Sequence, residues 1–176
     1  MYQTQMKDPG NVVEFENLQT CFFTDRGIVR SVDGVSFSVP AGKTVAVVGE
    51  SGCGKSVTSL SLMGLLQRPQ GKVTGGSIRL NMGDCAYDIP KTPDNVMQTL
   101  RGGVMSMIFQ EPMTALNPVL TIGYQIGEAV RLHQKGLNKV QVHSRILQLW
   151  SRWASGQAMQ FARPIPISFP VVCGSV

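Results

Sequence analysis

Gly49-Glu50-Ser51-Gly52-Cys53-Gly54-Lys55-Ser56 satisfies the spacing G-x-x-x-x-G-K-[ST], and that spacing holds phosphate for physical reasons. Glycines let the backbone wrap a β-phosphate with its N–H groups turned inward, and a helix starting directly after the loop adds partial positive charge at the same place. The Lys55 ammonium is placed to reach β- and γ-phosphates, and the Ser56 hydroxyl to ligate Mg²⁺. Glu50, Ser51 and Cys53 fill the loop, Cys53 through its backbone alone, and Val57 follows on the helix. The chemistry expected is the binding of a nucleoside triphosphate with Mg²⁺. A glycine-rich turn without function is the alternative, and the segments on either side argue against it.

Those segments must position the loop. Thr44 to Val48 is a short β-branched run bounded by glycines, the pattern of a central parallel strand buried on both faces. From Lys55 to Leu66 the residues Val57, Leu60, Leu62, Met63, Leu65 and Leu66 form an apolar helical stripe that Arg68-Pro69-Gln70-Gly71 stops. Ahead of the loop, Val12–Phe15 and Gly34–Val39 alternate apolar with polar residues, which predicts antiparallel strands. Gly75–Leu80 predicts another strand, Asn81–Asp94 a loop, and Val104–Phe109 a second buried strand. Helices are expected over about 122–134 and 139–150, with His133 and His143 on their polar faces.

Composition removes other classes. The chain has 176 residues, 43% of them hydrophobic and 15% charged, enough for one domain with a core. Its net charge of +5 suits neither disorder throughout nor a polyanion-coating protein, so no nucleic acid partner is expected. No apolar run approaches the ~18–20 residues needed to cross a bilayer, and the first residues lack the layout of a secretory signal. Cys21, Cys53, Cys85 and Cys173 have no metal-ligand spacing, so a reduced, metal-free cytosolic chain is expected. All of the acids lie at or before Glu128; beyond it stand Arg131, Lys135, Lys139, Arg145, Arg152 and Arg163 without a carboxylate.

The phosphate loop does not by itself choose a reaction. A GTPase needs N-K-x-D, and Asn138-Lys139-Val140-Gln141 lacks the Asp. A phosphate-loop hydrolase also needs a carboxylate ending a second apolar strand, and Asp84, Glu111 and Glu128 do not fill that place. A small kinase needs an arginine-bearing lid, for which the basic C-terminal stretch has no pattern.

Three blocks in order, Val32–Val48, Gly49–Leu66 and Ile108–Ile126, resemble the ATP-binding subunit of ABC importers for oligopeptides, dipeptides or nickel. The resemblance covers about residues 11–149. It implies an α/β phosphate-loop NTPase of ABC type: an antiparallel β subdomain, a parallel-sheet core around the loop, and the start of a helical subdomain, incomplete here. It implies ATP and Mg²⁺ as ligands, with Gly49 to Val57 on the nucleotide. Gln110 becomes the glutamine that touches Mg²⁺ and the attacking water. Phe23, or alternatively Phe22, falls where an aromatic stacks on adenine, a core role being the other reading. Glu111 to Pro118 belongs to the surface meeting a membrane subunit.

The implied partners are permease subunits in the membrane and a second ATP-binding subunit, joined head to tail. The implied place is the cytoplasmic side of the inner membrane. The implied function is to couple ATP hydrolysis to peptide uptake, with nickel uptake or a non-catalytic remnant docked on a permease as alternatives.

Departures from the pattern are as informative. The LSGGQ-like signature, the Walker B Asp-Glu, the switch histidine and the C-terminal cysteine cluster of this subgroup are not found in the sequence. Hydrolysis by this chain alone is therefore not expected. From Trp150 onward neither helical nor strand periodicity is present. With suitable codons for 164–176, the bases read one position earlier encode YPHQLSGGMRQR, similar to the missing signature, and the next family residues place a stop in the frame used here. The sequence thus divides into 1–149, the N-terminal part of a nucleotide-binding domain, and 150–176, an out-of-frame tail following the loss of one base.

Overall fold

The computed structural model describes residues 1–110 and 116–153. The chain divides into two units, Met1–Met107 and Ile108–Val176.

The first unit is organised by one five-stranded antiparallel sheet. Its strands are β1 (Gln3–Thr4), β2 (Asn11–Thr24), β3 (Gly27–Pro40), β4 (Gly71–Asn81) and β5 (Ala86–Asp88), in the order β1-β5-β4-β2-β3. The strands β2 and β3, of 14 residues each, form a hairpin closed at Thr24–Gly27, longer than alternation alone predicts. One face carries the core: Val13, Phe15, Leu18, Val32, Ile78, Leu80, with Ile89, Met97 and Leu100 packed on it. Phe15 stacks on Phe37 across the hairpin, centroids 4.3 Å apart, a cross-strand pair of the kind that fixes register. A bulge at Glu16–Asn17 interrupts the β2 register. Gly76 is its complement: φ is +77°, and an added Cβ would lie 2.2 Å from the Asn17 carbonyl oxygen.

Helix α1 (Lys55–Met63) lies on this sheet, and α2 (Asp94–Leu100) follows β5 after a 3₁₀ turn at Ile89–Lys91. The expected loop over Asn81–Asp94 therefore contains a strand and a 3₁₀ turn, and α2 has too short a period to be seen in advance. In the second unit, α3 (Ile122–His133) and α4 (Lys139–Trp153) form a hairpin joined across residues 134–138. The residues 154–176, and with them most of the expected out-of-frame tail, lie outside the described residues.

Two expectations fail. Thr44–Val48 forms no strand, and Val47 and Val48 are 52% and 91% exposed. Val104–Phe109 forms no strand either; only an isolated parallel bridge joins Arg101 to Met105. A parallel strand is stable when neighbours flank it and helices cover both faces. Among the described residues no strand pairs with either run, so their burial pattern is unmet.

The N-terminal segment is tied to the sheet by charge. Glu14, buried, accepts hydrogen bonds from the backbone N–H groups of Lys7 (2.9 Å) and Asp8 (2.8 Å) and from the Asn11 amide (3.0 Å). Arg79 donates to Glu16 at 2.6 Å and lies 3.7 Å from Glu14. Burial alone raises the Glu14 pKa, but these hydrogen bonds and the Arg79 charge outweigh it and hold the carboxyl below its ordinary 4.5. The Lys7 and Arg79 hydrogen bonds lower Glu16 in the same direction.

Two outcomes follow. Gly76→Ala should lower the urea midpoint by an amount equivalent to about 2 kcal/mol or more, because the strained φ and the backbone clash act together. The depressed carboxylates stabilise the fold fully above their unfolded pKa, and that contribution is lost as pH falls through the folded values. Urea unfolding across about pH 6 to 3 should therefore lose stability more steeply in the parent than in Arg79→Met; equal slopes would show that the cluster is not the acid-sensitive element.

Candidate functional site

The phosphate loop is seated on the outer strand of the antiparallel sheet. Gly54 is buried, has φ +94°, and has so little room that a Cβ would come within 2.3 Å of the Ser31 carbonyl oxygen on β3. A glycine is required there both by the left-handed backbone and by the close approach. Gly52 is left-handed too, at φ +83°, with open space around it. At Gly49 the pressure comes from within the loop, since an added Cβ would meet Cys53 Sγ at 2.7 Å.

Helix α1 begins on Gly54 with no side-chain cap and no acid in its first turn. Its first N–H groups and the positive end of its dipole therefore face the loop, an arrangement suited to an anion. The Lys55 ammonium turns back into the loop and donates to the carbonyls of Gly49 and Glu50, each at 2.6 Å, with Cys53 Sγ 3.5 Å away. Ser56 and Ser51 are exposed, and Val57 is half-buried against the sheet core. A groove of about 480 Å³ runs beside the loop, lined by Ser31, Val32, Phe37, Val47, Gly54 and Lys55.

The rest of α1 is held by polar contacts that apolar periodicity does not reveal. Its buried residues are Thr58, Ser61 and Met63 rather than the leucines. Thr58 donates to the Gly54 carbonyl at 3.0 Å, and the Ser61 and Thr20 hydroxyls meet at 3.0 Å in the core. At the far end Gly64 adopts φ +61°, and Arg101 donates to the carbonyls of Met63 (2.8 Å) and Gly64 (2.9 Å). Arg101 thus caps α1 from 37 positions away, a role with no local sequence signal. A second cavity of about 480 Å³ beside this end of α1 touches none of the loop residues.

The aromatic choice between Phe22 and Phe23 has a geometric side. Phe22 packs on Gly71, where a Cβ would meet its ring at 2.9 Å. Phe23 is 42% exposed near the hairpin tip, with Lys72 Nζ 5.8 Å from its ring centroid. Gln110 is exposed and belongs to the second unit. The structure thus brings Gly49 to Val57 together on β3, while Phe23 lies at the hairpin tip of the same unit. His133 and His143 are both exposed. Cys21, Cys53 and Cys85 are free thiols.

Residues 32–162 match the ABC transporter family. The chain belongs to this family. Among its relatives are the oligopeptide transport ATP-binding protein AppD of Bacillus subtilis, 44% identical over 88% of this chain and 46% of AppD, and the dipeptide transport ATP-binding protein DppD of the same organism, 47% identical over 80% of this chain and 40% of DppD. The glutathione import ATP-binding protein GsiA of Shigella dysenteriae is 46% identical over 72% of this chain and 20% of its own length. This ABC chain therefore spans less than half the length of these curated relatives. A dimeric bacterial ABC transporter cassette has the same fold at TM-score 0.65 and 18% identity, over 79% of this chain and 56% of the cassette. A dimeric cassette in a post-hydrolysis state, bound to ADP and Pi, matches at TM-score 0.63.

The seat of the loop predicts a separable effect. Gly54→Ala should cost about 2–4 kcal/mol of unfolding free energy, because both the φ and the Ser31 contact oppose it. Gly52→Ala meets only the φ penalty and should cost less. Thermal melts of the two variants side by side check the order.

Proposed function

We propose that this chain carries the first half of the nucleotide site of an ABC peptide importer and binds ATP-Mg²⁺ through it. The observation that carries the reading is the Lys55 ammonium held at the mouth of an uncapped helix, in a loop seated by Gly54 on β3. Lys55 already sits on two carbonyl oxygens, so an incoming triphosphate would take the place of those acceptors with a stronger, charge-assisted one. The loop residues Gly49 to Ser56 would surround the phosphates, with Val57 behind them. Ser56 would hold Mg²⁺, and the exposed Phe23 would stack on the adenine. Bound Mg²⁺ would supply charge neutralisation at the β- and γ-phosphates.

Peptide import is supported by relatives named for oligopeptide, dipeptide and glutathione transport. On this reading the working assembly joins the domain to permease subunits and to a second ATP-binding subunit, on the cytoplasmic side of the inner membrane. No helix among the described residues is long and apolar enough to cross a membrane, in keeping with a peripheral role. Turnover needs the signature motif, the second-strand carboxylate and the switch histidine, and this sequence has none of them. We infer that the chain alone binds nucleotide without hydrolysing it, and that residues 1–149 are its nucleotide-binding part and 150–176 an out-of-frame tail.

Titration with a fluorescent ATP analogue and Mg²⁺ tests the reading. Lys55→Ala should weaken binding by about tenfold or more, the loss of a charge-assisted contact to phosphate, while far-UV circular dichroism shows the fold retained. Unchanged affinity would overturn the assignment of the site, and an ATPase activity that disappears in Lys55→Ala would overturn the claim that the chain does not hydrolyse ATP.

A further inference from the structure

We infer, resting on the nucleotide reading above, that the Thr58 hydroxyl positions the phosphates: by fixing the peptide that joins Gly54 to Lys55, it aims the free N–H donors at the start of α1 into the loop. Thr58 is buried on α1, one turn after the loop. Its Oγ1 donates to the Gly54 carbonyl at 3.0 Å, and its backbone N–H donates to the same oxygen at 2.9 Å. One loop carbonyl thus takes two donors from one residue.

Neither packing nor helix propensity asks for that hydroxyl. A valine would fill nearly the same volume with no polar atom to bury, and a side chain bonded back to the carbonyl four positions earlier slightly loosens a helix. What the hydroxyl adds is a second tether on Gly54, the residue at which the loop becomes helix. A trans peptide is planar, so the Lys55 N–H points opposite to the Gly54 carbonyl. With that carbonyl held toward the helix, the Lys55 N–H is turned to the loop, and no side chain caps the helix start.

The loop places few other restraints on this peptide. Residues 41–53 are all exposed, and the Ser31 carbonyl excludes a side chain at Gly54 but supplies no donor to the Gly54 oxygen. Ser59 offers a comparison within the same helix. Its Oγ reaches back to the Lys55 carbonyl in the same way, but at 3.4 Å and in water. A bond that long and that hydrated holds little, whereas the Thr58 bond is shorter and buried.

Displacement of a fluorescent ATP analogue by ATP-Mg²⁺ and, separately, by inorganic tripolyphosphate tests the role, with far-UV circular dichroism confirming that each variant is folded. Tripolyphosphate has no base or ribose and reads the loop alone. Thr58→Val should weaken both ligands by the same factor, about threefold to tenfold, the worth of one hydrogen bond. Its Gly54 carbonyl keeps the backbone donor, so no buried group loses its last partner, and Thr58→Ala is a second variant without the hydroxyl that should lose affinity too. Thr58→Ser should bind as the parent does, and so should Ser59→Ala. A purely structural role would lower the melting temperature of Thr58→Val and leave both affinities of the folded protein at the parent's values, and that result would overturn the inference. So would a loss for ATP alone, a loss that Thr58→Ser shares, or an equal loss in Ser59→Ala. Lys55→Ala separates the two levels. If it loses affinity while Thr58→Val does not, the nucleotide site stands and the positioning role falls; if neither loses affinity, both fall.

Discussion

The backbone contact between Gly54 and the Ser31 carbonyl is the constraint on which the nucleotide half-site depends. It sets where α1 starts, because the left-handed residue that ends the loop is also the first partner of the helix: Thr58 bonds back to its carbonyl by both backbone and side chain. Once that start is set, the register of α1 on the sheet follows, with Ser61 three residues after Thr58 and opposite Thr20. Small hydroxyl residues along this seam allow helix and strand backbones to approach closely, and their mutual hydrogen bond removes the cost of burying them. Arg101 secures the other end. The helix is therefore held at both termini by backbone-directed contacts, with Val57 and Leu62 packed against the core between them.

This explains why the loop was legible in the sequence and its support was not. Gly49 to Ser56 is a local pattern, and a local pattern is enough to specify a turn conformation and a helix start. The seam is not local: Thr20 and Ser61 are 41 positions apart and Arg101 is 38 from Met63. Similarly, the β2–β3 hairpin and the two later helices follow from alternation and periodicity over many residues. The α2 helix, seven residues begun on Pro93, is too short to show a period.

Thr44–Val48 and Val104–Phe109 teach a different lesson. Their β-branched and apolar content states what surroundings those residues suit, namely partner strands on both sides and cover on both faces. It does not state whether the described chain contains those partners. Antiparallel strands β2, β3 and β4 meet their needs within 70 residues of one another through a hairpin and a return strand, so their pattern and their structure agree. A parallel strand depends on crossovers with distant segments, and this chain matches 56% of the length of each of the two dimeric cassettes named above. The expected burial is therefore not met in either run, because the pattern carries no information on whether partner strands are present.

The same asymmetry bears on how the loop would meet a ligand. In the segment from Ala41 to Cys53 every residue is exposed, and what orders it is the Gly54 seat, the Lys55 bonds to Gly49 and Glu50, and a few turn contacts. A triphosphate binding there must break the Lys55–carbonyl bonds and order a loop whose leading strand is unpaired. Ordering each backbone residue opposes binding by about 1–2 kcal/mol, so a loop whose strand is already fixed binds the same phosphates more tightly than this one. Covering Thr44–Val48 with neighbouring strands would therefore strengthen nucleotide binding without adding a contact to the nucleotide, and nucleotide binding would in turn favour the covered form by the same free energy.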